Sequence, residues 1–105
     1  MIEIAKIYDI AARIASKFNP DKIILFGSYA SGAPNIDSDI DLLVIQDTDL
    51  PRHKRSFAIQ KLLIGSMIPI DILVYTSDEF EKEKNEKYSF LNSAIQTSKI
   101  LYERK

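Results

Sequence analysis

The chain has no cysteine, a single histidine and almost no net charge, and each shortage removes a class of function. Without cysteine there are no disulfides, thiolate zinc sites, iron–sulfur clusters or thiol nucleophiles, which fits a reducing compartment and makes the cytoplasm the expected location. Fourteen basic and 15 acidic residues leave a formal charge of -1. No broad basic surface is available to a polynucleotide, so nucleic acid is not expected as the main partner. Long apolar runs are also missing: Met1 to Phe18 carries Glu3, Lys6, Asp9 and Arg13, so it reads as neither a secretory leader nor a membrane span. The one histidine, His53, lies in a polar, basic stretch and reads as a surface residue. At 105 residues the chain is the size of one ordinary domain, and residues 1–105 are assigned to one.

What is present is hydrophobic periodicity. Ile4, Ile7, Tyr8, Ala11, Ile14, Ala15 and Phe18 recur at helical spacing, and Asn19-Pro20-Asp21 ends the pattern. Lys22 to Phe26 is a short apolar run closed by Gly27-Ser28 and reads as a buried strand. Ile40 to Gln46 is a second strand, rich in Leu, Val and Ile but entered through aspartates. Leu50 to Ile64 has helical spacing through Ala58, Ile59, Leu62 and Leu63, with Gly65 at the C-terminal cap position. Pro69 to Tyr75 is a third strand with its proline at the entry. Thr76 to Glu79 has capping-box spacing, so a short charged helix starts there. Leu91, Ala94, Ile95, Leu101 and Tyr102 predict a last helix over roughly Tyr88 to Tyr102. The aromatic residues Tyr8, Phe18, Phe57, Phe90 and Tyr102 fall at helical spacings, as core or interface residues do; the last helix with Phe90 and Tyr102 is the expected docking surface for a partner, core packing being an equally good account of them. The expected class is α/β (α+β), a small mixed sheet of three strands or slightly more, flanked by helices.

Topology brings the unusual residues together. About a dozen residues join the first two strands, which suits an antiparallel pair, whereas a full helix joins the second and third, the usual route to a parallel pair. Gly27-Ser28, Asp39, Asp41 and Asp71 then share one sheet edge. Asp39 and Asp41, two apart in a strand, point the same way about 6–7 Å from each other. Asp41, directly before Leu-Leu-Val-Ile, and Asp71, between Ile70 and Ile72, read as carboxylates embedded in strands, where burial without a partner is costly. Three gathered carboxylates repel one another, and a divalent cation reverses that penalty. All-oxygen ligands without cysteine point to magnesium or manganese rather than zinc. Two such ions suit in-line displacement at phosphorus. Gly27 allows backbone to approach a phosphate, Ser28 adds a hydroxyl, and a helical turn at Tyr29 to Ser31 would aim further N–H groups there.

Two other motifs fail on position. Gly27 and Gly32 have the spacing of a phosphate loop, but Ala33-Pro34 stands where Lys-Ser/Thr is required; Asp37, Asp39 and Asp41 begin like an EF-hand, yet Leu42 and Thr48 replace its glycine and glutamate.

Gly27-Ser28, ten residues, then Asp39-Ile40-Asp41, with Asp71 in the next strand, resembles the signature of the polymerase-beta-like nucleotidyltransferase superfamily. The string Leu25 to Gly32 followed by Asp37 to Val44 is most similar to the minimal nucleotidyltransferases of prokaryotes. The resemblance implies a nucleotidyltransferase fold, Gly27 and Ser28 as triphosphate-binding residues, and Asp39 and Asp41 as ligands of two magnesium ions. It also implies that Asp71 ligates the catalytic ion and takes the acceptor's proton, so that Asp39, Asp41 and Asp71 are the catalytic and metal residues and ATP is the substrate. Relatives of this size resemble the antitoxin half of modules whose other half is a helical HEPN ribonuclease toxin. The implied activity is transfer of AMP to a hydroxyl of such a partner within a hetero-oligomer. Transfer to a small molecule such as an aminoglycoside, and neutralisation of the partner by binding alone, are the alternatives. One departure is Ser31, which stands where many relatives carry arginine; Arg52, Lys54 or Arg55 could supply the charge, although a solvated basic turn is the simpler reading.

Overall fold

The computed structural model describes residues 2–105; Met1, the start of the segment read above as neither leader nor span, lies outside them. The chain runs α1 (Ile4–Phe18), β1 (Lys22–Phe26), α2 (Ser28–Ser31), β2 (Ile40–Ile45), a 3-10 turn (Arg52–Lys54), α3 (Phe57–Leu62), β3 (Ile70–Tyr75), α4 (Ser77–Glu83), α5 (Phe90–Ile95) and β4 (Lys99–Glu103). Among the described residues no helix is long and apolar enough to cross a membrane.

Four strands form one mixed sheet in the order β3-β2-β1-β4. β1 is antiparallel to both neighbours, and β2 is parallel to β3 through the α3 crossover. Strand alternation sorts the apolar residues onto two faces. Ile23, Leu25, Leu42, Val44, Ile72 and Val74 meet the Ile7, Ile10 and Ile14 stripe of α1 and Ile59 of α3. On the opposite face Ile24, Phe26, Leu43, Ile45 and Tyr75 meet only Phe80 of α4 and Leu91 of α5 among buried residues. That second face is the thinner one. Asn19, at φ 48, caps α1 by donating to the Ala15 carbonyl at 2.9 Å, so the helix ends in a left-handed turn one residue before the proline.

Three expectations are corrected. The last helix over Tyr88 to Tyr102 is a six-residue helix followed by a strand, because Lys99 to Glu103 completes the open edge of β1. A bulge makes Leu101 and Tyr102 together oppose Ile23, so both adjacent residues pack on the α1 side and mimic a helical stripe in the sequence. Phe90 packs on the other face of the sheet, against Phe26. Phe90 and Tyr102 therefore do not share a docking surface. The helix read over Leu50 to Ile64 is likewise shortened to Phe57–Leu62 behind a separate 3-10 turn. There the Arg55 side chain competes for backbone carbonyls, donating from Nε to Leu50 at 2.8 Å and from Nη1 to Val74 at 3.3 Å. Two strands also end a residue inside the expected bounds: β2 at Ile45, and β3 starting at Ile70 after Pro69.

Arg55 fastens the crossover to α4. Its guanidinium is nearly buried and meets Glu79 through two hydrogen bonds, of 2.6 and 3.2 Å, while Glu79 also closes the Thr76 capping box. The Arg55 hydrogen bond, aided by the Thr76 amide and Arg52, holds the Glu79 carboxyl down at about 2, well below its ordinary 4.5. Replacing Glu79 by alanine strands the Arg55 charge and removes one cap. About 2–3 kcal/mol should be lost, less than for a fully buried pair because water partly screens the carboxylate. Thermal denaturation should fall by roughly 10–20 °C at neutral pH. Because the folded-state pKa is depressed, this contribution is present above pH 4.5 and fades as pH falls toward about 2, so the two melting curves should converge in acid. A pH-independent difference would mean the ion pair contributes nothing.

Candidate active site

The sheet register assembles the residues singled out in the sequence. Asp41 is the second residue of β2; it lies opposite Phe26 of β1 on one side and opposite Asp71 of β3 on the other. Paired strands are about 4.8 Å apart, so the Asp41 and Asp71 backbones are immediate neighbours. Asp39 precedes β2 with the same alternation as Asp41, and Gly27-Ser28 follows the last residue of β1. All five residues lie at one end of the sheet, and the three carboxylates occupy its thinner face, in line with Phe26, Leu43 and Tyr75. The intervening loop is shaped locally: Asn35 accepts from the Asp37 amide at 2.9 Å and its own amide donates to Ser38 Oγ at 2.9 Å, which turns the chain into β2.

Gly27 is required for two separate reasons. Its backbone, at φ 74 and ψ -157, occupies a region essentially closed to residues with a side chain. A Cβ built there would also run into Oδ2 of Asp41. The turn thus presses backbone directly against the central carboxylate. The helical turn after it contributes less than its sequence implied, because the Ala30 and Ser31 amides donate to the Gly27 carbonyl at 3.1 and 3.0 Å. Only the amides ahead of them, Ser28 and Tyr29, can turn toward an anion.

Asp41 is half-buried, while Asp39 and Asp71 are exposed. The exposure of Asp71 corrects its reading as a buried carboxylate: β3 is an edge strand whose Asp71 and Leu73 face the uncovered part of the sheet. Burial pushes the Asp41 carboxyl above its ordinary range, and the charges of Asp71 and then Asp39 push it further. Among the described residues no three acidic or histidine side chains stand together in ligand geometry. The donor set nonetheless fits a hard divalent ion, being all carboxylate oxygen, borne by adjacent strands and in mutual repulsion that a cation would relieve.

Arg52, Lys54 and Arg55 are not part of this arrangement. Arg55 binds Glu79, and Arg52 lies over the Tyr75 ring at 4.8 Å with Glu83 at 2.8 Å. Tyr75 ends β3 four residues beyond Asp71, roughly 13 Å along the strand. His53 is exposed in the same turn. A feature that sequence periodicity did not show is a cleft of about 340 Å³ beside Gly27, to which Phe90, Ser93, Ala94 and Thr97 contribute. No residue spacing marks it, since it forms only where α5 docks.

Asp41→Asn should melt at the same or a higher temperature than the native protein in metal-free buffer at pH 7. A raised folded-state pKa means that ionised Asp41 opposes folding; the penalty is absent below pH 3.8 and grows as pH rises through the raised value. The asparagine variant lacks that dependence. Gly27→Ala should behave oppositely, losing about 1–3 kcal/mol from the strained turn alone. Calorimetric melting of both variants checks the pair; a less stable Asp41→Asn protein would assign the aspartate a structural role.

Comparison with known proteins identifies the fold and the family. Residues 7–102 match the model of the nucleotidyltransferase domain. A Methanocaldococcus jannaschii protein named "putative protein adenylyltransferase" is 36% identical over 84 residues, covering 77% of each chain. A crystal structure described as a "putative nucleotidyltransferase" from Sulfolobus solfataricus superposes with a TM-score of 0.68 at 19% identity, over 96% of this chain and 80% of that one. A toxin-antitoxin structure with AMP-PNP superposes with a TM-score of 0.64 at 21% identity, over 93% of this chain and 74% of that one. At those identities the two structures establish a shared fold, whereas the domain match across most of the sequence places this chain in the nucleotidyltransferase domain family, as an enzyme of that class.

Proposed function

We propose that this protein transfers AMP from ATP to a hydroxyl of a partner protein, and that the partner is a helical HEPN toxin which the modification silences. The observation that carries the reading is Asp41, wedged between the Gly27 turn and Asp71 with its charge opposed by two other carboxylates. Such an arrangement is costly to a fold and useful to phosphoryl-group chemistry. Protein as acceptor is supported by the name of the archaeal relative, and a toxin as partner by the toxin-antitoxin neighbour solved with AMP-PNP. The charge of -1 counts against a polynucleotide acceptor. The setting is cytoplasmic and the working assembly a hetero-oligomer.

Gly27 and Ser28 bind the triphosphate, with the Ser28 and Tyr29 amides as donors. Asp39 and Asp41 would hold two magnesium ions, Asp71 joining them at the catalytic ion; when bound, magnesium supplies charge neutralisation at the reacting phosphate. The acceptor oxygen forms a bond to the α-phosphorus, the bond from that phosphorus to the bridging oxygen breaks, and pyrophosphate departs. Asp71, on the exposed strand edge, accepts the acceptor's proton. Binding of the partner without transfer is the second reading, favoured by the small residue at Ser31, which brings no cation to the phosphates.

Incubation of the partner with the enzyme, ATP and magnesium should add one or more AMP masses to it, read by mass spectrometry. The Asp39→Asn/Asp41→Asn double variant should reduce transfer by about a thousandfold or more, since several kcal/mol of charge stabilisation is removed. A partner that stays unmodified and is neutralised equally by the double variant would establish the binding-only reading.

A further inference from the structure

We propose that the cleft between the Gly27 turn and α5 is the site of the nucleoside half of the substrate, taking a purine base with its ribose. The inference rests on the phosphate-binding assignment of Gly27 and Ser28. Gly27 contributes to both places: it lies against Asp41, and it also lines the cleft together with Ser31. Phosphates held at that turn therefore leave the rest of the nucleotide next to the cleft. The groove along β3 is lined by Arg52, His53, Leu73 and Tyr75, and the hollow under the α3–β3 loop by Ile64, Met67 and Pro69; neither shares a residue with the turn.

The lining suits a flat, uncharged heterocycle. Phe26 is nearly buried in the sheet, and Phe90 stands edge-on to it at 5.6 Å and 83° while remaining 54% exposed. Phe90 thereby presents ring surface that its own fold does not cover. Ala94 is small, so it leaves space beside the rings, and the hydroxyls of Ser93 and Thr97 supply donors and acceptors for ring nitrogens or a ribose. Among the described residues no charged side chain lines the cleft. A triphosphate belongs with the cation site, and the neutral remainder of the nucleotide belongs here. Ser31 leaves the entrance clear, because its short side chain folds back to the Ser28 carbonyl at 3.2 Å. The volume of about 340 Å³ is at the lower end for small-molecule sites, which run roughly 300–1,000 Å³, and matches a nucleoside better than a whole nucleotide.

Calorimetric titration of the native protein, Phe90→Ala and Ser93→Leu with ATP and separately with inorganic tripolyphosphate, each with magnesium, separates the base from the phosphates. Both substitutions are at exposed positions of α5, one removing the aromatic surface and the other filling the cleft. Each should weaken ATP binding roughly tenfold, the order expected for loss of base stacking, and leave tripolyphosphate binding unchanged. The unchanged tripolyphosphate affinity also reports that the variants are folded. Variants that bind ATP as tightly as the native protein overturn the cleft assignment and leave the phosphate site standing. A native protein that binds neither ligand overturns the phosphate site, and the cleft proposal with it.

Discussion

The contact on which the rest of the site depends is the approach of the Gly27 backbone to the Asp41 carboxylate. A residue with any side chain at Gly27 would displace Asp41, and Asp41 in turn occupies the middle of a row that begins at Phe26 and ends at Asp71. Register fixes that row, because a one-residue slip of β2 would send Asp41 into the apolar layer beneath α1 and expose Leu42. The hydrophobic alternation of the strand therefore positions the carboxylate. Ile40, Leu42 and Val44 are fully buried on the α1 side, and their burial opposes any slip that would relax the repulsion between the acids.

A sheet that gathers like charges at one end needs firm attachment elsewhere. At the opposite end of β3, Arg55 links the crossover to Glu79 of α4, and Arg52 spans Glu79 and Glu83 over the Tyr75 ring. A second polar tie joins Asp21, at the entry to β1, with Arg104 and Ser77. The charges are thus segregated: opposite signs are paired where β2 and β3 end near α4, and the three aspartates gather where those two strands begin beside the Gly27 turn. This segregation keeps Arg52 and Arg55, which follow β2, away from the Gly27 turn. The sequence distance is short, but the strand length separates them.

The first helix, the first strand, the capping box at Thr76 and the antiparallel and parallel pairings were all legible in the sequence, because each is determined by local periodicity, capping chemistry or connection length. The convergence of Gly27, Asp39, Asp41 and Asp71 was legible for the same reason, since topology alone brings strand ends together. The final strand was not. Its Leu101 and Tyr102 lie on one face only because of a bulge opposite Ile23, and a bulge is specified by the partner strand. The break ahead of α3 was hidden similarly, in the long-range bonds of Arg55 to Val74 and Glu79. The cleft beside Gly27 was hidden for a similar reason, since it forms where α5 meets the sheet through the Phe26–Phe90 contact, residues far apart in the sequence. Asp71 was located correctly and its burial was not, because the pattern Ile70-Asp71-Ile72 does not tell an edge strand from a central one.

The uneven covering of the sheet determines how an acceptor can enter. The α1 face is sealed by a 15-residue helix, so chemistry is confined to the other face, where two short helices reach mainly β1 and β2 and leave Leu73 and Asp71 of β3 open. In the proposed arrangement, with the nucleoside on the α5 side and the phosphates at the turn, an acceptor hydroxyl would approach from the β3 side, across Asp71. That direction is solvent in this fold. Active sites gain much of their electrostatic effect by excluding water, and here the excluded wall has to be provided by whatever carries the hydroxyl. A small acceptor could not supply it, whereas a protein laid along the β3 edge could cover Leu73, bring its hydroxyl to Asp71 and close the site in the same event. The bare edge of β3 is thus the feature of the fold that favours the proposed protein acceptor over a small one.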